Sequence, residues 1–90
     1  VRSPDAALAE LNRLAGANAD KPVADLYRTL AAAIDFENGR QAEAIAATRA
    51  VLDGAAPGDQ TRQIQVSLAQ MLETSGDRAG AEALVAEVLT

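Results

Sequence analysis

AIAATRAVL, residues 44–52, is the stretch on which the fold turns. Ala44, Thr48, Val51 and Leu52 stand at the first, fifth, eighth and ninth places, which is the spacing of one face of an α-helix. The same stretch returns 37 residues later as AEALVAEVL (81–89), and 37 residues earlier it stands as ALAELNRLA (7–15). Each copy opens with alanine, places a medium side chain four positions on, and sets apolar residues seven and eight positions on. One helix face is thus written three times. A period of this length belongs to stacked helical units, none of which can bury its apolar face alone.

Working outward, the chain divides into five helical segments. The first is expected over residues 4–15, with Ser3 as N-cap, Pro4 at the first helical position, Asp5 at the positive helix end and Gly16 as a left-handed stop. The second is expected over 22–37, capped by Asp20 and ended by Asn38-Gly39. Its inward stripe is Val23, Tyr27, Leu30, Ala31 and Ile34. The third runs over 41–53, and the loop 54–59, GAAPGD, breaks it with Pro57. The fourth runs over 60–74, with Ile64, Leu68, Ala69 and Leu72 inward, and Ser75-Gly76 ends it. Asp77 caps the fifth, over 78–89. No stretch alternates with period two over a useful length, so strands are not expected.

Composition narrows the function. Ninety residues with a net charge of -5 make one small acidic domain. Its basic residues are scattered, which disfavours nucleic acid, where phosphate neutralisation needs clustered Lys and Arg. There is one Tyr, one Phe and no Trp, so close helix packing has to rest on alanine. Ala31 and Ala69 on one type of helix, and Ala44 and Ala81 on the other, let paired helices cross closely. With no Cys and no His, the thiol nucleophile and the commonest general base are both missing. Lys21 with Ser3, Ser67 or Ser75 reads as a surface lysine rather than a dyad. The acidic pairs Asp35/Glu37 and Glu82/Glu87 lack the spacing of a calcium loop or helical zinc motif. Gly54-x-x-x-Gly58 has no following Lys-Ser/Thr and is no phosphate loop. Tyr27 reads as core, and Phe36 either covers a turn or offers an exposed contact. No enzyme activity, cofactor or metal is expected, and no apolar run reaches the ~20 residues of a membrane span.

Placed on those helices, the residues resemble the tetratricopeptide repeat, whose units of ~34 residues pair two antiparallel helices, A and B. Tyr27, Leu30, Ala31 and Ile34 occupy the helix A places in one unit, and Gln65, Leu68, Ala69 and Leu72 in the next. Ala44, Thr48, Val51 and Leu52 match helix B, as do Ala81, Val85, Val88 and Leu89. The turns Asn38-Gly39 and Gly76-Asp77 are similar to the family's. Gln65, Thr48 and Val85 depart from its bulky or aromatic places, and Pro57 sits one place late.

The resemblance implies an all-α, right-handed solenoid of antiparallel helix pairs in the order B-A-B-A-B. Residues 1–90 form one domain: 1–19 the last helix of a preceding repeat, 20–57 one repeat and 58–90 another. It implies a protein–protein interaction scaffold, or alternatively a spacer in a larger multi-repeat protein. By analogy the concave face is Asp25, Arg28, Ala32 and Asp35, then Gln63, Val66, Gln70 and Glu73, a shallow groove for a protein or peptide carrying positive charge. Arg28 is the wall's one cation, so a clamp for a C-terminal carboxylate is not expected. The chain is also similar to internal segments of long alphaproteobacterial-type multi-repeat proteins, which implies the periplasm. As an excised piece, it is expected to leave Leu8, Leu11 and Leu14 at one end and Leu84, Val85, Val88 and Leu89 at the other uncovered, and to self-associate weakly through them.

Overall fold

The computed structural model describes residues 3–89 as five α-helices: α1 (Pro4–Ala17), α2 (Val23–Glu37), α3 (Gln41–Gly54), α4 (Asp59–Thr74) and α5 (Arg78–Leu89). Among the described residues there is no strand, and no helix is long and apolar enough to cross a membrane. Each helix packs on the next in the chain. The Cα envelope measures 36 × 29 × 18 Å, and its short axis is about two packed helices deep.

Local chemistry accounts for most of the helix ends. The Ser3 hydroxyl accepts a hydrogen bond from the Ala6 amide at 3.2 Å, with Pro4 in the first turn. At α5, the Asp77 carboxylate accepts from the Gly80 amide at 2.9 Å. Two ends differ from expectation. α1 continues through Gly16, because Asn18 closes it instead: its backbone amide and its side-chain amide both donate to the Leu14 carbonyl, at 3.1 and 2.8 Å. Asp20 does not cap α2, whose N-cap position is Pro22 with no side-chain bond.

The turns after α2 and α4 are the same structure. Gly39 and Gly76 take φ of +88° and +99°. After α2, the Gly39 amide donates to the Phe36 carbonyl at 3.3 Å and the Arg40 amide to the Asp35 carbonyl at 2.9 Å. After α4, Gly76 donates to Glu73 at 3.1 Å and Asp77 to Leu72 at 2.8 Å. This paired closure is the Schellman arrangement, and it needs a residue that tolerates the left-handed region.

The core is built from alanine and aliphatic side chains. Ala32 and Ala44 form one cluster with Met71 of α4, and Ala33, Phe36 and Ile45 pack around it. Phe36 therefore covers core. Leu68, Leu72 and Ala81 form a second cluster, flanked by Ile45, Leu52 and Leu84. Thr48 is wholly buried; its hydroxyl donates to the Ala44 carbonyl at 2.8 Å and lies 3.7 Å from the Met71 sulfur. Among the described residues no buried side-chain nitrogen or oxygen lacks a partner.

The helix stripes are right in period and wrong at particular places. Leu30, expected inward, is 54% exposed. The matching turns set α4 37 positions after α2, so the buried Leu68 stands at the place of the buried Ala31, and Leu30 at that of Ser67. Val85, also expected inward, is 44% exposed; none of the described helices lies over it as α4 lies over Thr48 on α3. Leu8, Leu11 and Leu14 are half-buried rather than uncovered, since α1 packs on α2.

Two stability predictions follow from this packing. Gly39→Ala should destabilise by about 1–2 kcal/mol from backbone conformation alone, since nothing stands within 4 Å of the added Cβ. Gly16→Ala, equally unobstructed but inside α1, should stabilise by about 0.5–1 kcal/mol. Urea midpoints moving in the same direction for both would contradict the two assignments. Ala44→Trp should cost at least about 1–3 kcal/mol, the usual range for overpacking, because Ala44 is fully buried beside Met71. Ala46→Trp, on the exposed side of α3, should change the thermal midpoint little; equal losses would refute this phasing of α3.

Candidate functional site

The eight residues expected on one concave face fall into two grooves. Asp25, Arg28, Ala32 and Asp35 line the first, of about 950 Å³, between α2 and α3. Val66, Gln70 and Glu73 line the second, of about 600 Å³, between α4 and α5. Gln63 is exposed and lines neither. Ala32 is a correction: at 1% exposure it is a core residue, and Met71 packs against it. Its side chain reaches the groove only as floor.

Small side chains make the floor of the first groove: Ala31 and Ala32 from α2, Ala47, Ala50 and Val51 from α3. Its rim is charged. Asp20, Asp25, Asp35 and Asp59 stand against two cations, Lys21 and Arg28. Arg28 is turned to Asp25 at 3.2 Å, and Asp35 accepts from Arg40 Nε at 2.7 Å. That bond holds the exposed Arg40 guanidinium still more firmly protonated than usual. Such surface pairs contribute only about 0–1 kcal/mol each, so an incoming cation can exchange for them at little cost.

One wall of this groove was not legible in the sequence. Gly54 to Thr61 closes its end, held by a hydrogen bond from Thr61 to the Ala56 carbonyl and by Gln60 Nε2 donating to the Pro22 carbonyl at 2.9 Å. Gln60 thus ties the start of α4 to the start of α2 across 38 positions of sequence. Pro57 and Gly58 signal a break, but nothing local signals where the loop lands.

The second groove is more apolar. Val66, Ala69, Ala81, Val85, Val88 and Leu89 line it, with Glu73, Glu82 and Arg78 at the rim. Val66 is 46% and Leu89 83% exposed. Among the described residues no group of three or more His, Cys, Asp or Glu is placed to hold a metal ion. The first groove is shallow and acid-rimmed, the second apolar.

Comparison with known proteins gives no match to this chain, whether among protein-family models, curated proteins or solved structures.

Proposed function

We propose that the chain is a non-catalytic protein-interaction module, a right-handed stack of tetratricopeptide-like helix pairs whose α2–α3 groove takes a peptide or helix bearing Lys or Arg. The observation that carries this reading is the excess of carboxylates around a floor of small side chains in that groove. A shallow alanine floor gives little apolar anchorage. Recognition therefore falls to charge at the rim, which favours a cationic partner and steers its approach. The stacked-repeat architecture is supported by the two identical Schellman turns 37 positions apart and by packing between helices adjacent in the chain. Nearest-neighbour packing of this kind is what a repeat array uses.

A spacer with no ligand of its own is the second reading. It is favoured by the Arg28–Asp25 and Arg40–Asp35 pairs, which already neutralise part of the rim.

Fluorescence anisotropy with a short Lys/Arg-rich peptide and an acidic counterpart separates the two. The module reading expects the basic peptide to bind, with affinity falling as salt rises. An Asp25→Lys/Asp35→Lys variant should bind it about tenfold more weakly. Glu43→Lys/Glu82→Lys changes net charge equally but lies outside the α2–α3 groove, and should bind it nearly as the parent does. Equal losses in both variants, or no binding at all, would leave the spacer. The non-catalytic reading also expects no stoichiometric zinc or calcium binding by calorimetry; a micromolar isotherm with either ion would overturn that part.

A further inference from the structure

The two helix pairs share a register but not a core. The bond that closes α2, from the Arg40 amide to the Asp35 carbonyl, returns 37 positions later from Asp77 to Leu72. The bond that opens α3, from Ala44 to Arg40, likewise returns in α5 from Ala81 to Asp77. Residues of the first pair therefore have counterparts in the second. In the second pair Leu68, Leu72 and Leu84 pack together, with Leu68 2% and Leu72 3% exposed. Their counterparts in the first pair are Ala31, Asp35 and Ala47. All three line the α2–α3 groove. Two methyl groups and a carboxylate thus stand where the second pair has three leucine side chains, and the groove opens over the space they leave.

We propose that this vacancy is a pocket for one lysine side chain of a partner polypeptide, its methylene stem laid on Ala31 and Ala47 and its ammonium on Asp35. The substitutions specify both halves of the occupant. The two alanines remove aliphatic volume and leave an apolar bed for an aliphatic rod. Asp35, at the place of Leu72, adds a negative charge at the end of that bed. Its side chain is only 25% exposed, so it sits in the wall of the groove rather than out in solvent. A lysine combines an apolar stem with a cationic tip and supplies what both kinds of replacement lack.

The pairs already present select lysine over arginine. Arg40 Nε engages Asp35 Oδ1 at 2.7 Å, and Arg28 engages Asp25 Oδ1 at 3.2 Å. A guanidinium binds a carboxylate best through both oxygens in parallel, and here one oxygen of each carboxylate is engaged. An ammonium is a compact point charge with three donors. It takes the second oxygen of Asp35 while Arg40 keeps the first. The inference rests on the basic-peptide reading of this groove and narrows it: charge at the rim attracts the partner, and the missing leucines decide which side chain enters.

The test is a titration of the isotopically labelled full chain, followed by nuclear magnetic resonance. The probes are short arginine-flanked peptides that differ only at the centre, which is lysine, arginine or diaminopropionate, an ammonium on a shorter stem. The lysine peptide should bind about tenfold more tightly than the other two, with shifts at Ala31, Asp35 and Ala47. Ala47→Leu puts a leucine at the place of Leu84 without changing charge, and Ala47 is exposed, so the fold should keep its thermal midpoint. That variant should bind all three peptides with similar affinity. Arg40→Gln frees both oxygens of Asp35 and should narrow the gap between lysine and arginine. Equal affinity of the three peptides for the parent chain would overturn the pocket and leave recognition by rim charge alone. A lysine advantage that survives Ala47→Leu would place the stem elsewhere and overturn it too. Displacement of the lysine peptide by an equal concentration of n-butylamine would assign the site to a free amine instead of a partner chain. No binding by any of the peptides would overturn the pocket and the basic-peptide reading together.

Discussion

Met71 reaches from α4 into the space between α2 and α3, where Ala32, Ala44 and Thr48 leave it room. Much else in the structure depends on this seat. It ties the second helix pair to the first, and it works only because alanine stands on both walls. A larger side chain at either alanine would close the hole and push α4 off. Burying the methionine contributes about 1.5–3 kcal/mol, and its flexible thioether suits an irregular hole. Thr48 lies at the same spot as a β-branched residue whose hydroxyl is satisfied within its own helix, so it packs there as an apolar residue would.

A core of alanines has a consequence at the surface. Where small residues bring helices close, the grooves between them are shallow and their floors have few atoms to offer. The α2–α3 groove shows this, with discrimination left to the aspartates on its rim. The α4–α5 groove shows the complement: the face that α4 covers on α3 is left open on α5, and valine and leucine meet solvent there. The two surfaces have opposite chemistry although the repeat that builds them is the same. What distinguishes them is whether a further helix lies on top.

Position along the stack explains which residues departed from their expected places. Leu30 and Leu68 were expected at equivalent places, but the matching turns set α2 and α4 37 positions apart, which puts Leu68 at the buried place of Ala31 and Leu30 at that of Ser67. Val85 and Thr48 do share a register, and they differ because α4 lies over Thr48 while none of the described helices lies over Val85. Ala32 was assigned to the surface by analogy with a concave wall, but Met71 approaches from the neighbouring helix pair and buries it. None of these departures is a failure of helix periodicity. Period identifies a face; burial requires a second element to cover it.

The sequence by itself determined the local chemistry. Five helices, the Ser3 and Asp77 caps, and the glycine turns at Gly39 and Gly76 all follow from residues within a few positions of one another. So does the alanine-rich character of the helix faces. Backbone preference and capping act over one helical turn, and one turn is readable in a linear string. The tertiary structure alone decided which of the equivalent faces are covered. It placed Met71 against Ala32 and Ala44, landed the loop 55–58 across the end of the α2–α3 groove, and split the expected single wall into two separate grooves. Those outcomes depend on contacts between residues tens of positions apart, as between Gln60 and Pro22 or Thr48 and Met71. The cost and gain of such contacts are fixed only when the helices have met.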